Sequence, residues 1–223
     1  MSDLYTLETM TGDKIDEEAA ARLQRARALG STDEARKLYR DWAKHYDTDV
    51  FGRLKVTGTR RIAELLTHHL PPAPDAPIID LGCGTGAAGV VLRSGGLSAI
   101  DGLDLSPEML VIAAGTGAYR LLIAADLLAP LPLPDHRYDA AISAGTFTTG
   151  HVGAAALPAI RRLIRPGGLL ACVVARSFYD VGGFADAVPQ LVSEQRWRIL
   201  HHSLEPIREA GPPEGHMLVF QIN

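Results

Sequence analysis

Short apolar runs alternate with helix-patterned segments from residue 78 onward. The runs are continuous rather than alternating in polarity, which is typical of strands that are covered on both faces. Five parallel strands are therefore predicted, at 78–81, 98–103, 121–125, 138–143 and 169–175. The helices predicted between them lie at 87–94, 107–114 and 157–164. This alternation predicts a parallel sheet with helices on its faces, which is an α/β fold.

The C-terminal part of the chain departs from this alternation. A helix at 184–195 is followed by two strands, 197–202 and 216–222, joined by a polar loop that contains Gly211-Pro212-Pro213. A short loop between adjacent strands makes them antiparallel. Upstream, Arg165-Pro166-Gly167-Gly168 has proline and glycine where a type II turn requires them. The whole pattern predicts a seven-stranded, mostly parallel sheet closed by an antiparallel hairpin.

Helical periodicity alone marks the first seventy residues. Apolar residues recur at helical spacing over 15–29 and again over 57–69. Between these helices, Ser31-Thr32-Asp33-Glu34 has the form of a capping box and predicts the start of another helix. We expect residues 1–70 to form a helical segment that leans on the sheet of residues 78–223, within one structural domain.

Composition fits a single domain of ordinary polarity. The 223 residues are 47% hydrophobic and carry a formal net charge of −4, which disfavours a surface that neutralises nucleic-acid phosphates. No apolar run approaches the roughly 20 residues that span a bilayer, and Met1-Ser2-Asp3-Leu4 lacks the features of a signal peptide. Cys83 and Cys172 are too far apart in sequence to indicate a metal or redox site. We therefore expect a cytoplasmic protein with no metal, no membrane contact and no nucleic-acid partner.

A glycine-rich segment follows the first predicted strand. Gly82, Gly84 and Gly86 leave the backbone bare, so its amide and carbonyl groups can contact a ligand where a side chain would clash. The carboxyl end of the first strand borders the crevice in which open parallel sheets bind ligands. The segment 84–89 also matches the dinucleotide fingerprint G-x-G-x-x-G, a weak signal when it stands alone. The glycines predict a binding loop without naming its ligand.

The longer string Asp80-Leu81-Gly82-Cys83-Gly84-Thr85-Gly86 resembles the first motif of class I S-adenosylmethionine-dependent methyltransferases. The resemblance implies a Rossmann-like sheet and the cofactor S-adenosyl-L-methionine, with S-adenosyl-L-homocysteine as its product. It also implies that the three glycines face the methionine part of the cofactor and that Asp80 lies on the side of its ammonium group, where a carboxylate is favourable. In this family a backbone carbonyl at the end of the fourth strand commonly meets the ammonium. That position corresponds here to Ser143-Ala144-Gly145, and the sequence does not fix which of the three residues supplies the carbonyl.

Two more acids follow predicted strands. The string Asp104-Leu105-Ser106-Pro107-Glu108-Met109-Leu110 is similar to the second signature of the same family, whose leading acid accepts both ribose hydroxyls. A helix-capping acid is the alternative interpretation. Leu105 and Met109 would cover the adenine ring, with plain core packing as their alternative role. Asp126 matches the acid that binds the adenine amino group, with the backbone of Leu127 at the ring edge.

Two further stretches, 39–47 and 143–152, resemble the Williams–Beuren region methyltransferase-like proteins and their bacterial relatives. This resemblance implies that the second helix folds over the cofactor as a lid, with Tyr46 bonded to the methionine carboxylate. An aromatic stripe that only packs the helix onto the sheet is the alternative, which we favour for Trp42. His151 follows the fourth strand, where it is either a general base for the acceptor or a residue that fixes its loop.

Together these features predict an enzyme that transfers a methyl group from S-adenosylmethionine to an oxygen, nitrogen or sulfur of a small molecule. We expect a monomer or a weak homodimer. A sensor or partner-binding protein that binds the cofactor without methyl transfer has the same motifs and is the alternative. A nicotinamide-dependent oxidoreductase is a lesser alternative, suggested by 84–89 and a carboxylate about twenty residues further on. Methylation of RNA or protein is disfavoured by charge.

Overall fold

A seven-stranded sheet lies at the centre of this computed structural model, which describes residues 17–223. Its strands are β1 (Ile78–Leu81), β2 (Ile100–Asp104), β3 (Leu121–Ala124), β4 (Tyr138–Phe147), β5 (Ile164–Ala175), β6 (Trp197–Glu205) and β7 (Gly215–Ile222). In space they follow the order β3-β2-β1-β4-β5-β7-β6. β7 is antiparallel to both β5 and β6, and the other pairs are parallel. The predicted mostly parallel sheet with an antiparallel hairpin is confirmed.

Helices cover both faces of this sheet. They are α1 (described over 17–27), α2 (Thr32–Asp47), α3 (Gly58–His69), α4 (Ala87–Ser94), α5 (Pro107–Gly115), α6 (Leu157–Leu163), α7 (Arg176–Tyr179) and α8 (Phe184–Ser193). Successive residues of β5 point to opposite faces, so Ala171 packs with α3 and α4 whereas Cys172 packs with α6 and α8. None of the helices within residues 17–223 is long and apolar enough to cross a bilayer.

Two central strands are longer than the sequence predicts. β4 continues to Phe147 instead of ending at 143, and β5 begins at Ile164 instead of 169. The predicted turn at 165–168 is a bulge inside β5, because residues on both sides of it pair with β4. Gly167 has φ +79°, the left-handed conformation that such a bend requires. The sequence therefore indicates the bend but not the strand pairing on either side of it.

The N-terminal helices fall into two groups. α3 packs on the sheet beside α4, with Ile62 in the apolar layer that covers this face. Ala26 of α1 and Trp42 of α2 form a separate apolar cluster with Val50. The residues before 17 lie outside the described part of the chain, and they include the first four residues and the beginning of the helix predicted at 15–29.

A buried ionic cluster holds α1 and α2 together. The chain leaves α2 through a π-helical turn at Thr48–Arg53, which the sequence analysis did not predict. Asp49 in this turn is fully buried, and it accepts hydrogen bonds from Arg22 (2.6 Å), from Trp42 Nε1 (2.8 Å) and from Arg53. Burial opposes the charge, but these donors hold the pKa of Asp49 below its ordinary value. Trp42 therefore has a structural contact, in agreement with the packing interpretation.

Candidate cofactor-binding site

A cavity opens at the carboxyl ends of β1 to β4, where the strand order reverses between β1 and β4. Its volume is about 350 Å³, and small-molecule sites usually begin near about 300 Å³. The loops after these strands form its walls, and α2 with the residues before it forms a further wall. The predicted cofactor-binding residues that line the cavity are Tyr46, Gly82, Gly84, Asp104, Leu105, Met109, Asp126 and Leu127.

The glycine loop presents bare backbone to this cavity. Gly82 has φ +73°, and a Cβ there would lie 2.1 Å from the Thr146 hydroxyl oxygen, so the two segments can touch only because residue 82 is glycine. Gly84 has φ +53°, and no other group of the described residues comes within 4 Å of where its Cβ would be. A side chain at position 84 would therefore enter the cavity. Gly86 does not line the cavity, since it is the N-cap of α4 and faces Tyr119.

Asp104 ends β2, and its carboxylate is anchored by backbone amides. The amides of Gly84 and Ser106 each donate to one carboxylate oxygen, both at 2.8 Å. Burial raises the pKa of Asp104, while the hydrogen bonds from the Ser106, Gly84 and Leu105 amides act in the opposite direction. Because a carboxylate has about four lone-pair sites, Asp104 keeps accepting capacity for a donor in the cavity. The arrangement fits two neighbouring hydroxyl groups, such as those of a ribose.

The wall after β3 combines one acid with apolar side chains. Oδ1 of Asp126 accepts a hydrogen bond from the Leu128 amide at 2.8 Å, while Oδ2 has no hydrogen-bond partner within residues 17–223. Leu127 and Met109 are buried and line the cavity together with the partly exposed Leu105. A hydrogen-bond acceptor beside apolar side chains fits a flat heterocycle with an amino group, such as adenine.

Asp80 does not line the cavity, although the motif resemblance implies a cofactor-binding position on the ammonium side. The residue is 1% exposed, and its Oδ2 accepts a hydrogen bond from the Tyr119 hydroxyl at 2.7 Å. The same hydroxyl accepts one from the Gly89 amide of α4 at 3.1 Å. Burial raises the pKa of Asp80 to about 7, with the Tyr119 bond opposing the rise and Asp104 adding to it. Asp80 therefore supports the binding loop from behind. Tyr119 carried no sequence signal beyond its place just before the third strand.

Ser143 is also buried behind the cavity wall, and its hydroxyl donates to the Leu81 carbonyl oxygen at 2.9 Å. The next two residues, Ala144 and Gly145, line the cavity instead. Their stretch coincides with an irregularity in the pairing of β4 with β5, between Ser143 and Phe147. The backbone that faces the cavity therefore lies within the predicted stretch 143–145, at Ala144 and Gly145 and not at Ser143.

The end of α2 contacts the site directly. Tyr46 lines the cavity, and burial, Asp104 and Asp47 together raise its pKa to about 12. Its phenol is therefore neutral at physiological pH and can donate a hydrogen bond. Asp47 accepts a hydrogen bond from the Thr85 hydroxyl at 2.5 Å, which joins α2 to the glycine loop. No local pattern in the sequence pairs these two side chains, which are 38 residues apart.

His151 lines the cavity with both ring nitrogens engaged. Nδ1 lies 3.0 Å from the Thr149 carbonyl oxygen, and Nε2 lies 2.5 Å from the Tyr39 hydroxyl oxygen. Because a carbonyl oxygen only accepts, Nδ1 carries the hydrogen and Nε2 accepts from Tyr39. Burial lowers the pKa of His151, and the contact with Thr149 opposes this. The ring therefore has the loop-fixing contact, and its basic nitrogen faces Tyr39 of α2.

The groups on these walls fit an adenosyl group whose far end is an amino acid. Two acids with accepting lone pairs, an apolar wall and an open glycine backbone are brought to one cavity. No three His, Cys, Asp or Glu side chains within residues 17–223 lie close enough together to hold a metal ion.

Residues 79–172 match the family model described as Methyltransferase domain. The strand order and the position of the cavity agree with this match, so this part of the chain is similar to class I methyltransferase domains, whose cofactor is S-adenosyl-L-methionine.

Two named relatives show where the similarity extends. The chain is 35% identical over 162 residues to human Methyltransferase-like protein 27, covering 72% of this chain and 65% of the relative. It is 37% identical over 112 residues to the malonyl-[acyl-carrier protein] O-methyltransferase of Pseudescherichia vulneris, covering 50% of this chain and 44% of the relative. The chain thus spans less than two thirds of the length of these relatives.

Solved structures share the fold at low sequence identity. The [4+2]-cyclase SpnF aligns with a TM-score of 0.64 and 15% identity, covering 87% of this chain and 97% of SpnF. The TehB-like SAM-dependent methyltransferase of Corynebacterium glutamicum aligns with a TM-score of 0.60 and 20% identity, covering 83% of this chain and 98% of that protein. At these identities the likeness establishes the fold alone.

Proposed function

We propose that this protein transfers a methyl group from S-adenosylmethionine to an oxygen, nitrogen or sulfur of a small molecule. The observation that carries the proposal is the convergence of Asp104, Asp126 and the open backbone at Gly84 on one cavity. An adenosyl donor needs all three, since its ribose, its base and its amino acid are recognised by different groups.

Each wall then has a role in holding the cofactor. Asp104 accepts the ribose hydroxyls, and Asp126 accepts the adenine amino group beside Leu105, Met109 and Leu127. The glycine loop borders the methionine part, and Tyr46 donates to its carboxylate. Asp80 keeps the loop in place through Tyr119 without contacting the cofactor.

The cofactor supplies a methyl group that is already activated by the sulfonium charge. The protein therefore has to orient the acceptor and exclude water, which can lower a barrier by several kcal/mol. We assign this covering role to α1 and α2, whose apolar cluster and contacts with Thr85 and His151 hold them beside the cavity. Within the predicted lid of residues 1–70, α3 is not assigned this role, because it packs on the sheet.

A protein that binds the cofactor without methyl transfer is the second candidate. The similarity to SpnF, which is named a [4+2]-cyclase, favours keeping it, because it shows this fold with a reaction name other than methyl transfer. A nicotinamide-dependent oxidoreductase is less favoured, since Gly86, the second glycine of the dinucleotide fingerprint, faces Tyr119 and does not line the cavity where a diphosphate would need its backbone. A monomeric or weakly dimeric state stays a prediction.

Incubation of the purified protein with methyl-labelled S-adenosylmethionine and a cellular small-molecule extract tests the proposal. We expect label in at least one small product, with S-adenosylhomocysteine formed in equal amount. Binding of S-adenosylhomocysteine with no labelled product would favour the second candidate. Quenching or enhancement of reduced nicotinamide fluorescence at micromolar protein, without S-adenosylhomocysteine binding, would favour an oxidoreductase.

A further inference from the structure

The charged residues on the cavity walls are of one sign. Within residues 17–223, the charged residues that line it are Asp104 and Asp126, and no lysine or arginine does. The wall contributed by α2 and the residues before it is neutral, with Leu29, Ser31 and Ala35 among its members. An anionic acceptor would therefore find no lysine or arginine partner on the described part of these walls and would lose its hydration there, which is unfavourable at low dielectric.

Tyr39 and His151 meet on this neutral part of the cavity. Both line it, and the Tyr39 hydroxyl donates to His151 Nε2 across 2.5 Å. The residues are 112 positions apart in sequence and come from α2 and from the loop after β4. The Thr149 carbonyl holds the Nδ1 hydrogen, so the only nitrogen of this ring that can take another proton is the one that Tyr39 contacts.

We propose that the methyl acceptor is an uncharged hydroxyl compound and that Tyr39 and His151 take its proton as a relay. The inference rests on the proposed methyl transfer, whose substrate class it names. The acceptor oxygen forms a bond to the methyl carbon while the carbon–sulfur bond of the donor breaks, with its electron pair left on sulfur. The acceptor O–H proton passes to Tyr39 Oη, and the Tyr39 proton passes to His151 Nε2, which leaves the imidazole protonated.

A hydroxyl group is the acceptor that needs this relay. A carboxyl group has lost its proton at neutral pH, with an ordinary pKa of about 4, and a thiol near 8.5 is partly ionised without help. An amine attacks through a lone pair that is free once it has deprotonated in water. An alcohol or phenol reaches the site with its proton attached and must give it up during the reaction, so a base in contact with it accelerates transfer.

The charges around the pair favour a relay over a preformed phenolate. The other titratable groups that face Tyr39 are Tyr46 and Asp104, and burial with these neighbours raises the pKa of Tyr39 well above its ordinary value. Burial lowers the pKa of His151. Both groups are therefore neutral at physiological pH, so Tyr39 can accept a proton only by passing its own to His151.

Nitrogen NMR of the histidine-labelled full-length protein without cofactor tests the contact itself. We expect Tyr39→Phe to move the ¹⁵N resonance of His151 Nε2 towards the value of an imidazole nitrogen with no donor. Tyr46→Phe removes another buried phenol hydroxyl from the cavity and should leave this resonance in place. An unchanged Nε2 resonance in Tyr39→Phe, in a protein that still binds S-adenosylhomocysteine, would overturn the relay.

Product chemistry tests the acceptor class and separates this inference from the proposed function. Methyl ethers survive mild alkali, whereas methyl esters release methanol, and mass analysis distinguishes N- and S-methyl products. We expect the label from methyl-labelled S-adenosylmethionine in alkali-stable O-methyl products. Label in methyl esters, N-methyl or S-methyl products would contradict the hydroxyl class and leave methyl transfer intact. No labelled product despite S-adenosylhomocysteine binding would overturn the methyl transfer and this inference with it.

Kinetics of the variants complete the test. With the labelled O-methyl product as readout, Tyr39→Phe and His151→Gln should each lower the rate by about 10²-fold or more, the usual contribution of a general base, with S-adenosylhomocysteine affinity changed less than threefold. The wild-type rate should fall as the pH drops through the pKa of His151, and this fall should be absent in His151→Gln. Equal rates in the variants and wild type would contradict the relay.

Discussion

Gly82 and Gly84 share a left-handed backbone but have different surroundings, and this difference can be measured. Gly82→Ala places a methyl group against the Thr146 hydroxyl, so we expect a loss of about 2–4 kcal/mol in the free energy of unfolding. The methyl group added by Gly84→Ala meets no neighbour, so the free energy of unfolding should fall by only about 1 kcal/mol. The same methyl group enters the cavity and should lower the affinity for S-adenosylhomocysteine at least tenfold. Urea unfolding and calorimetry give the two quantities.

Gly117→Ala is the matched control for these two glycines. Gly117 also has positive φ (+66°) and open surroundings, and it does not line the cavity. We expect it to lose as much stability as Gly84→Ala while its affinity for S-adenosylhomocysteine stays that of the wild type. Wild-type affinity in Gly84→Ala would show that the backbone at 84 does not border the cofactor.

The carboxyl group of Asp80 should make the protein's stability depend on pH. Its pKa of about 7 lies above the ordinary value, so between about pH 4 and 7 the folded protein holds a proton that the unfolded chain has lost. Its contribution to the free energy of unfolding therefore falls as the pH rises through this range. Asp80→Asn removes this pH dependence. The free energy of unfolding of the variant, relative to that of the wild type, should therefore rise by about 2 kcal/mol between pH 5 and 8.

Asp33→Asn provides the control for this pH series, because the Asp33 side chain is 93% exposed. Its stability should run parallel to that of the wild type from pH 5 to 8. Parallel curves for Asp80→Asn as well would mean that the buried carboxyl is not protonated in the folded protein.

Sequence motifs identified the acids at the cavity better than the contacts they make. Asp104 and Asp126 line the cavity as the motif resemblance implied, because each directly ends or follows a strand at the edge where ligands bind. Asp80 has the same kind of position but turns to Tyr119, which is 39 residues away in sequence. Nothing local to Asp80 encodes that partner, so the sequence alone could not distinguish a ligand contact from an internal support.

At the scale of elements, Asp49 holds together α1, α2 and the π-helical turn between α2 and α3. Asp49→Asn removes the charge but leaves Arg22 and Arg53 in place, so we expect a loss of about 3–5 kcal/mol in the free energy of unfolding at pH 7. Since the folded pKa is depressed, the stabilisation is present at neutral pH and is lost as the pH falls below about 4, where the two proteins should converge. Denaturant unfolding across this pH range measures the difference.

Hydrogen exchange locates the effect on the proposed lid. Amides of α1 and α2 should exchange faster in Asp49→Asn than in the wild type. The exchange rates of amides in β1 and β4 should change only as much as the lower free energy of unfolding of the whole protein requires. Asp41→Asn, at an exposed position of α2 that pairs with its neighbour Arg40, should change neither. Equal protection of α2 in Asp49→Asn and wild type would contradict the role of this cluster in holding the helices.

The hydrophobic pattern was enough to predict which segments are strands and which are helices. It did not predict where some of them end, because those ends depend on contacts with residues far away in the sequence. The continuous apolar runs marked the parallel strands, and Ser31 caps α2 by accepting from the Glu34 amide, as the capping box predicts. The extension of β5 back to Ile164 depends on its pairing with Tyr138 of β4. The π-helical turn depends on Asp49 reaching Arg22 of α1, and neither contact has a local sequence signal.

At the scale of the whole molecule, the chain order of strands and helices was enough to predict the sheet. Right-handed crossovers leave few ways to arrange alternating strands and helices, and the C-terminal hairpin fixes the antiparallel edge. The acceptor side of the cavity could not be predicted in this way. The packing of α2 beside the loop that follows β4 brings Tyr39 to His151, and Trp42 of the same helix is bonded to the buried Asp49.

Calorimetry with S-adenosylhomocysteine tests the central claim that carboxylates at successive strand ends bind an adenosyl group. Asp104→Ala and Asp104→Asn should each weaken binding at least tenfold, since one hydrogen bond to a charged group contributes about 1.5–3 kcal/mol. Asp75→Ala, at an exposed position before β1, should bind as the wild type does. Wild-type affinity in both Asp104 variants, with circular dichroism showing that they are folded, would contradict the account.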